Sequence, residues 1–203
     1  MGLTLYSLKP RFQALLRPLV RRLAQAGVTA NQVTLAAAVG SLLVGAATAL
    51  GPRPLFLLVP VWLFLRMALN AVDGMLAREF GQQSRLGAYL NELGDMVSDA
   101  ALYLPFALVA PFDPAVVVVV VLLAVLSEAA GILGAMIGAA RRYDGPMGKS
   151  DRALLFGALG LWAGLAALPA WLAWLMPLLA LLLAICIVNR VRAGLRQEED
   201  RRA

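Results

Sequence analysis

The sequence predicts an all-α integral membrane protein with six transmembrane helices and an N-terminal interfacial amphipathic helix. Three observations predict it. Hydrophobic residues make up 61% of the 203, and they form long runs rather than the alternation of a soluble domain. Six of those runs approach the ~20 apolar residues that carry a helix across a bilayer. Finally, arginine and lysine gather on alternate loops, as the positive-inside rule requires.

The elements follow in order. Residues 1–32 form a cytoplasmic leader. Within it, over 5–25, Phe12, Leu15, Leu16, Leu19, Val20 and Leu23 recur at helical spacing, while Arg11, Arg17, Arg21 and Arg22 fill the remainder. That pattern suits a helix lying in the membrane interface, and it serves equally as a basic leader that sets topology. Thr29 and Asn31 offer cap chemistry before the first span. The six spans are expected at 33–50, 54–77, 87–110, 114–140, 151–168 and 171–191, making one membrane domain over 33–191. A charged cytoplasmic tail, 192–203, follows. The first 32 residues hold no short apolar core with a small-residue cleavage site, so no cleavable signal is expected.

Basic residues fall before the first span (Lys9, Arg11, Arg17, Arg21, Arg22), in the 78–85 turn, in the 141–152 loop and after the last span, with Arg53 the exception in the opposite loops. Both termini and those loops are therefore expected on the cytoplasmic side of a bacterial cytoplasmic membrane. Topology and anionic membrane lipid account for the net charge of +6, so no nucleic acid partner is expected. Cys186, the one cysteine, rules out an intrachain disulfide and is read as core packing.

Polar groups stand out between Asn70 and Asp99. A charge at mid-bilayer costs ~2.5–3.5 kcal/mol on insertion scales, so such residues usually mark a site. Asn70 and Asp73 are three apart near the cytoplasmic end of the second span, and Asn91 and Asp95 are four apart near the start of the third. Each pair therefore shares a helix face. A short charged turn joins the helices, and Gly74, Gly87 and Gly94 reduce bulk between them. The expected product is an oxygen-lined cage at the cytoplasmic boundary, with Arg78 nearby, suited to metal-bound phosphate. The chain has no histidine, which excludes imidazole catalysis and histidine ligation. Oxygen donors favour Mg²⁺, Mn²⁺ or Ca²⁺. Helix packing explains any one asparagine or glycine, but it does not need two carboxylates and a basic turn at these spacings.

The run Asn70-x2-Asp73-Gly74-x2-Ala77-Arg78-x8-Gly87-x3-Asn91-x3-Asp95 resembles the signature of the CDP-alcohol phosphotransferase family, D-x2-D-G-x2-A-R-x8-G-x3-D-x3-D. The spacing is intact throughout, and Asn70 and Asn91 stand where the family has its first and third aspartates. The resemblance implies a metal-dependent membrane transferase of phospholipid synthesis, with the family's tendency to homodimers. It would pass a phosphatidyl or phospho-alcohol group from a CDP-alcohol lipid donor, commonly CDP-diacylglycerol, to an acceptor alcohol and release CMP. It also implies Mg²⁺ or Mn²⁺ held at Asn70, Asp73, Asn91 and Asp95, with Asp95 the base, and a CDP pocket built on Asp73, Gly74, Ala77, Arg78 and Gly87.

The two asparagines lower the cage from four formal negative charges to two, so a one-metal site comes into view. Asp99, four residues after Asp95, and Glu92, three before it, are candidate compensating acids; for Asp99 a polar contact inside the bundle is the other reading. Arg66, one turn before Asn70, either binds an acceptor phosphate or balances Asp73 and Asp95. Glu128, inside the fourth span, is expected to pair with an arginine. In the 141–152 loop, Gly148-Lys149 resembles a Gly-Lys element of phosphatidylglycerophosphate-type members, and Lys149 and Arg152 are candidate phosphate holders. The rival reading of the whole chain is a non-catalytic CDP-lipid-binding membrane protein that keeps the fold. A transporter fits less well, because its polar groups would need to line a path across the bilayer.

Overall fold

A computed structural model describes residues 5–202, with side chains for 12–198; the side chains of Lys9 and Arg11 and the end of the charged tail lie outside the described residues. The α-helices are α1 (Leu5–Gln25), α2 (Ala30–Leu50), α3 (Leu58–Glu79), α4 (Arg85–Tyr103), α5 (Pro114–Leu133), α6 (Lys149–Leu165) and α7 (Leu175–Arg202). Turns of 3₁₀ helix precede α3 and α7 and follow α4 and α5. Each of the six apolar runs is thus helical. Four stretches, Ala30–Leu50, Arg53–Glu79, Pro114–Ile137 and Ala170–Glu198, are long and apolar enough to cross a membrane. The other two are α4, which carries Glu92, Asp95 and Asp99, and α6, which has 17 residues.

Local sequence explains where the helices begin and end. α1 closes on Gly27 at φ +77°, with Val28 N–H donating to the Leu23 carbonyl and Gly27 N–H to that of Ala24. That is a Schellman turn, and glycine meets its left-handed position without strain. α2 opens with a reciprocal cap, Thr29 N–H to Gln32 Oε1 at 2.9 Å and Gln32 N–H to Thr29 Oγ1 at 3.2 Å. Thr29 therefore caps as expected, with Gln32 as its partner, while Asn31 Oδ1 lies over Gly87. α4 passes into 3₁₀ geometry just before Pro105, which disfavours α geometry in the residue ahead of it. α5 starts on Asp113, whose carboxylate accepts from Ala115 N and Val116 N, ahead of Pro114. α7 continues past residue 191 as one helix, because the Arg-, Gln- and Glu-rich tail consists largely of strong helix formers.

Two compact units partition the chain. The first runs to Leu43 and resumes over Trp62–Ser98; the second takes Val44–Val61 and continues from Asp99 onward. Val20, Ala30, Val33, Val72, Met75 and Leu76 form the core of the first unit, with Leu16 and Leu23 packed on it. One apolar stripe of α1 is therefore spent on α2 and α3, while Leu15 (75%) and Leu19 (48%) stay exposed. In the second unit an aromatic group sits at the centre. Tyr103 stacks on Phe156 at 3.9 Å between centroids, and Phe106 meets the edges of Phe56 and Phe156. Gly160 and Gly164 let α6 approach the backbone around Leu57–Pro60, the small-residue contact common between membrane helices. Cys186 is fully buried in α7, and Gly145, at φ +124°, leaves no room for a Cβ against it.

Candidate functional site

The motif residues fall on α3, α4 and the turn between them, all in the first unit. Asn70 on α3 donates through Nδ2 to Asp95 Oδ1 on α4 at 3.1 Å. Arg66, one turn earlier on α3, donates through Nη2 to the same Oδ1 and to the Asp95 carbonyl, each at 3.0 Å. Arg66 is 3% exposed, and the Asp95 side chain is 17% exposed. Asp73, one turn beyond Asn70, is buried, and its Oδ2 accepts from Thr34 Oγ1 of α2 at 2.7 Å. Asn91 and Glu92 are half-buried on α4. The two halves of the motif thus meet through Asn70 and Asp95, as the face argument expects. Arg66 makes the charge-balancing contact to Asp95, one of its two readings.

Around this group the turn is built for close approach. Arg78 folds back along α3 so that its Nη2 lies 2.9 Å from where a Cβ on Gly74 would stand. A side chain at 74 would displace that guanidinium. A Cβ on Gly87 would meet Asn31 Oδ1 at 2.7 Å and Ser84 Oγ at 2.9 Å. Ser84 caps α4 by accepting from Gly87 N–H at 2.9 Å. Gln82 reaches α2, accepting from Ala30 N–H at 2.7 Å and donating to the Val28 carbonyl. Ala77 packs beside the core of the unit. Thr34 and Gln82 were not singled out in sequence, and Asn31 only as a cap. Thr34 is one hydroxyl in an apolar run, and the partners of all three lie on other helices or turns.

Asp99, Glu128 and Arg152 belong to the second unit and form a different group. Arg152, fully buried near the start of α6, donates to Asp99 Oδ2 at 3.2 Å and Glu128 Oε1 at 2.9 Å. It also reaches Ser127 Oγ and the Met147 carbonyl. Arg190 of α7 pairs with Glu128 at 3.3 Å and donates to the Ser127 carbonyl, and Arg141 reaches Glu128 Oε2 at 3.4 Å. Glu128 does pair with arginine, and with three of them. Lys149 opens α6 behind Gly148, whose N–H donates to Asp151 Oδ2 at 2.9 Å. In the loop ahead, Arg142 grips Asp144 through Nε and Nη2, and that hydrogen bonding holds the Asp144 carboxyl below its usual range.

The donor set at α3 and α4 is hard oxygen from Asp73, Asp95 and the asparagine amides, which suits Mg²⁺ or Mn²⁺ and not a thiophilic metal. Among the described residues no three of His, Cys, Asp and Glu converge, and Asp95 Oδ1 already accepts two N–H donors.

The all-helical fold and the spaced motif across a helix pair agree with the family match: the chain belongs to the CDP-alcohol phosphatidyltransferase family, whose model matches residues 27–191. The chain is 49% identical over 197 residues to the inner membrane protein YnbA of Escherichia coli, covering 95% of this chain and 97% of that one. It is 34% identical over 97 residues to the phosphatidylinositol phosphate synthase of Streptomyces avermitilis, 48% of this chain and 39% of that protein. Among solved structures, phosphatidylinositol phosphate synthase of Mycobacterium tuberculosis in complex with manganese and citrate superposes with a TM-score of 0.70 at 23% identity, over 87% of both chains. The same enzyme with CDP-DAG bound gives 0.67 at 22%, over 87% of this chain and 92% of that one. At that identity the match shows the shared fold.

Proposed function

We propose that this protein transfers a phosphatidyl or phospho-alcohol group from a CDP-alcohol, CDP-diacylglycerol before others, to an acceptor hydroxyl. The acceptor oxygen attacks the phosphorus that carries the alcohol, the bond from that phosphorus to the bridging oxygen breaks, and CMP leaves with that oxygen. The acceptor proton passes to Asp95. The observation that carries this reading is the meeting of the motif's two halves, Asn70 on Asp95 at 3.1 Å with Asp73 one turn along the same face. Asn70, Asp73, Asn91 and Asp95 are the metal-site positions, and a divalent cation bound there neutralises diphosphate and leaving-group charge. Asp73, Gly74, Ala77, Arg78 and Gly87 serve the CDP end, where the bare Gly74 leaves room for the Arg78 guanidinium. Arg66, Lys149 and Arg152 are kept as the positions for an anionic acceptor, Lys149 opening α6 behind Gly148.

Six spans, with both termini and the site on the cytoplasmic face of a bacterial inner membrane, complete the reading, together with a homodimer and α1 in the interface. The inner-membrane name of the Escherichia coli relative and the alternation of basic loops support the placement. For α1 the support is its exposed Leu15 and Leu19 beside Arg21 and Arg22.

The test is CMP release by the purified protein with CDP-diacylglycerol and Mg²⁺ or Mn²⁺. Acceptors to try are glycerol phosphate, inositol phosphate, serine and simple alcohols. Turnover is expected to need the metal, and to fall by at least ~10²-fold in Asp95→Asn, the usual scale for a lost general base. No CMP from any pairing would sink the reading. The two asparagines favour a second reading, a fold-retaining protein that binds CDP-lipid without turnover. It predicts tight binding, no CMP, and activity gained by Asn70→Asp with Asn91→Asp.

A further inference from the structure

We propose that the second unit carries a binding site for the phosphate of a membrane phospholipid, built on Arg53 in the turn between α2 and α3. The site is independent of the transferase reading and shares with it only the placement of that turn on the non-cytoplasmic face. The turns between α2 and α3, α4 and α5, and α6 and α7 hold just two charged residues, Arg53 and Asp113. Asp113 is spent on the cap of α5. Among the described residues Arg53 meets no carboxylate. Its Nε donates to the Ala163 carbonyl near the end of α6, which leaves the four N–H bonds of its two Nη atoms for a ligand. Arg53 also lines a cavity of about 360 Å³ whose walls include Phe56, Leu108, Val109 and Leu168. Thr48 is there too, but its hydroxyl proton is engaged by the Val44 and Gly45 carbonyls. The guanidinium is thus the one charged group, among the described residues, on mainly apolar walls. A cation so placed selects an amphiphile with an anionic head, and a guanidinium forks the two free oxygens of a phosphodiester. The surroundings make that amphiphile a membrane lipid. Leu108 is 70% exposed beside the cavity, and just beyond Leu168 the 3₁₀ turn Ala170–Trp174 presents Trp171 and Trp174, 65% and 79% exposed. Exposed tryptophans settle at headgroup depth, where the lipid phosphates lie. The cavity is small for a ligand pocket, so it takes the headgroup and glycerol esters and leaves the acyl chains in the bilayer.

Native mass spectrometry of the full-length protein, titrated in detergent with phosphatidylglycerol, counts the lipids on each chain and gives their affinities. Arg53→Gln keeps an N–H for the Ala163 carbonyl and removes the charge. It is expected to weaken one lipid site by about 10- to 100-fold, the weight of hydrogen bonds to a charged group. Leu108→Trp leaves Arg53 in place, crowds the cavity, and is expected to lose the same lipid. Inorganic phosphate and dioleoylglycerol, offered in parallel, are expected not to displace it, since each supplies only half of the ligand. If Arg53 serves only to cap α6, Arg53→Gln and the natural chain hold phosphatidylglycerol alike, and that equality overturns the proposal. Lipid held undiminished by Leu108→Trp would overturn it as well. So would displacement by inorganic phosphate at equal concentration, which would make this a site for a soluble anion. Should Arg53→Gln not fold, Leu108→Trp decides.

Discussion

Around Asp95 one guanidinium, Arg66, meets a carboxylate that remains 17% exposed, with Asp73 a further acid on the same helix pair. Around Glu128 three guanidinia, from Arg141, Arg152 and Arg190, meet two carboxylates, and Arg152 is wholly enclosed. Asp95 and Asp99 stand on one helix, a single turn or ~6 Å apart along its axis, yet each belongs to a different one of these groups. The first group keeps a carboxylate partly reachable, the setting proposed above for a cation and diphosphate. The second is closed over, with Arg152 and Arg190 buried on Glu128, the arrangement of a tie between helices α5, α6 and α7. Charge inside a membrane protein is costly in both places. What separates the proposed site from the tie here is whether the carboxylate can be reached.

The strongest way to break this contrast is to remove Glu128. Glu128→Gln takes from Arg152 and Arg190 a carboxylate at 2.9 and 3.3 Å and leaves their buried charges short of a partner. Losing one member of a buried pair costs ~3–5 kcal/mol, so a large fall in melting temperature in detergent is expected. Asp95→Asn should do the reverse, removing CMP release while lowering the melting temperature less. If Asp95→Asn melted as early as Glu128→Gln and still turned over, the assignments would have to be exchanged.

Glycines offer a finer comparison. Gly87→Ala pushes a methyl to 2.7 Å from Asn31 Oδ1, a flexible side chain that can give way, so ~1–3 kcal/mol is expected for the overpacking. Asn31→Ala in the same chain should restore much of it. Gly145→Ala has no such escape, because φ is +124° and the nearest atoms include the Cys186 backbone at 2.7 Å. Thermal melts of the three variants should rank Gly145→Ala below Gly87→Ala, with the double variant above both.

These two regions were not equally legible in sequence. The six apolar runs, the helix faces of Asn70, Asp73 and Asp95, the Thr29 cap and the packing role of Cys186 are read from local periodicity and spacing, which a sequence carries directly. Helix ends shift where a proline or a left-handed glycine intervenes, as at Pro105 and Gly138. What could not be read was pairing across elements. Arg190, inside the last expected span, was not singled out until α7 brought it to Glu128, and Thr34 was hidden in an apolar helix until it met Asp73. Asp99 had two readings in sequence, and its contact with Arg152 lies 53 residues away.

The smallest expected effect lies outside both groups, at the Arg142–Asp144 pair in the loop before α6. The carboxylate accepts from Nε at 2.9 Å and Nη2 at 3.1 Å, but its side chain is 40% exposed. Hydrogen bonding by Arg142 lowers the Asp144 pKa below its usual value. A carboxyl lowered on folding contributes stability above its unfolded pKa and loses it as pH falls through the folded one. Solvent screening limits an exposed pair to ~0–1 kcal/mol, so Asp144→Asn should melt only slightly earlier than the natural chain at neutral pH. The two should converge in acid, below the normal carboxylate range. A large gap at neutral pH would mean that Asp144 supports the Gly145 approach to Cys186 through more than its charge. A gap that persisted in acid would assign that support to the shape of the side chain, and this loop would then belong with the buried tie and not with the surface.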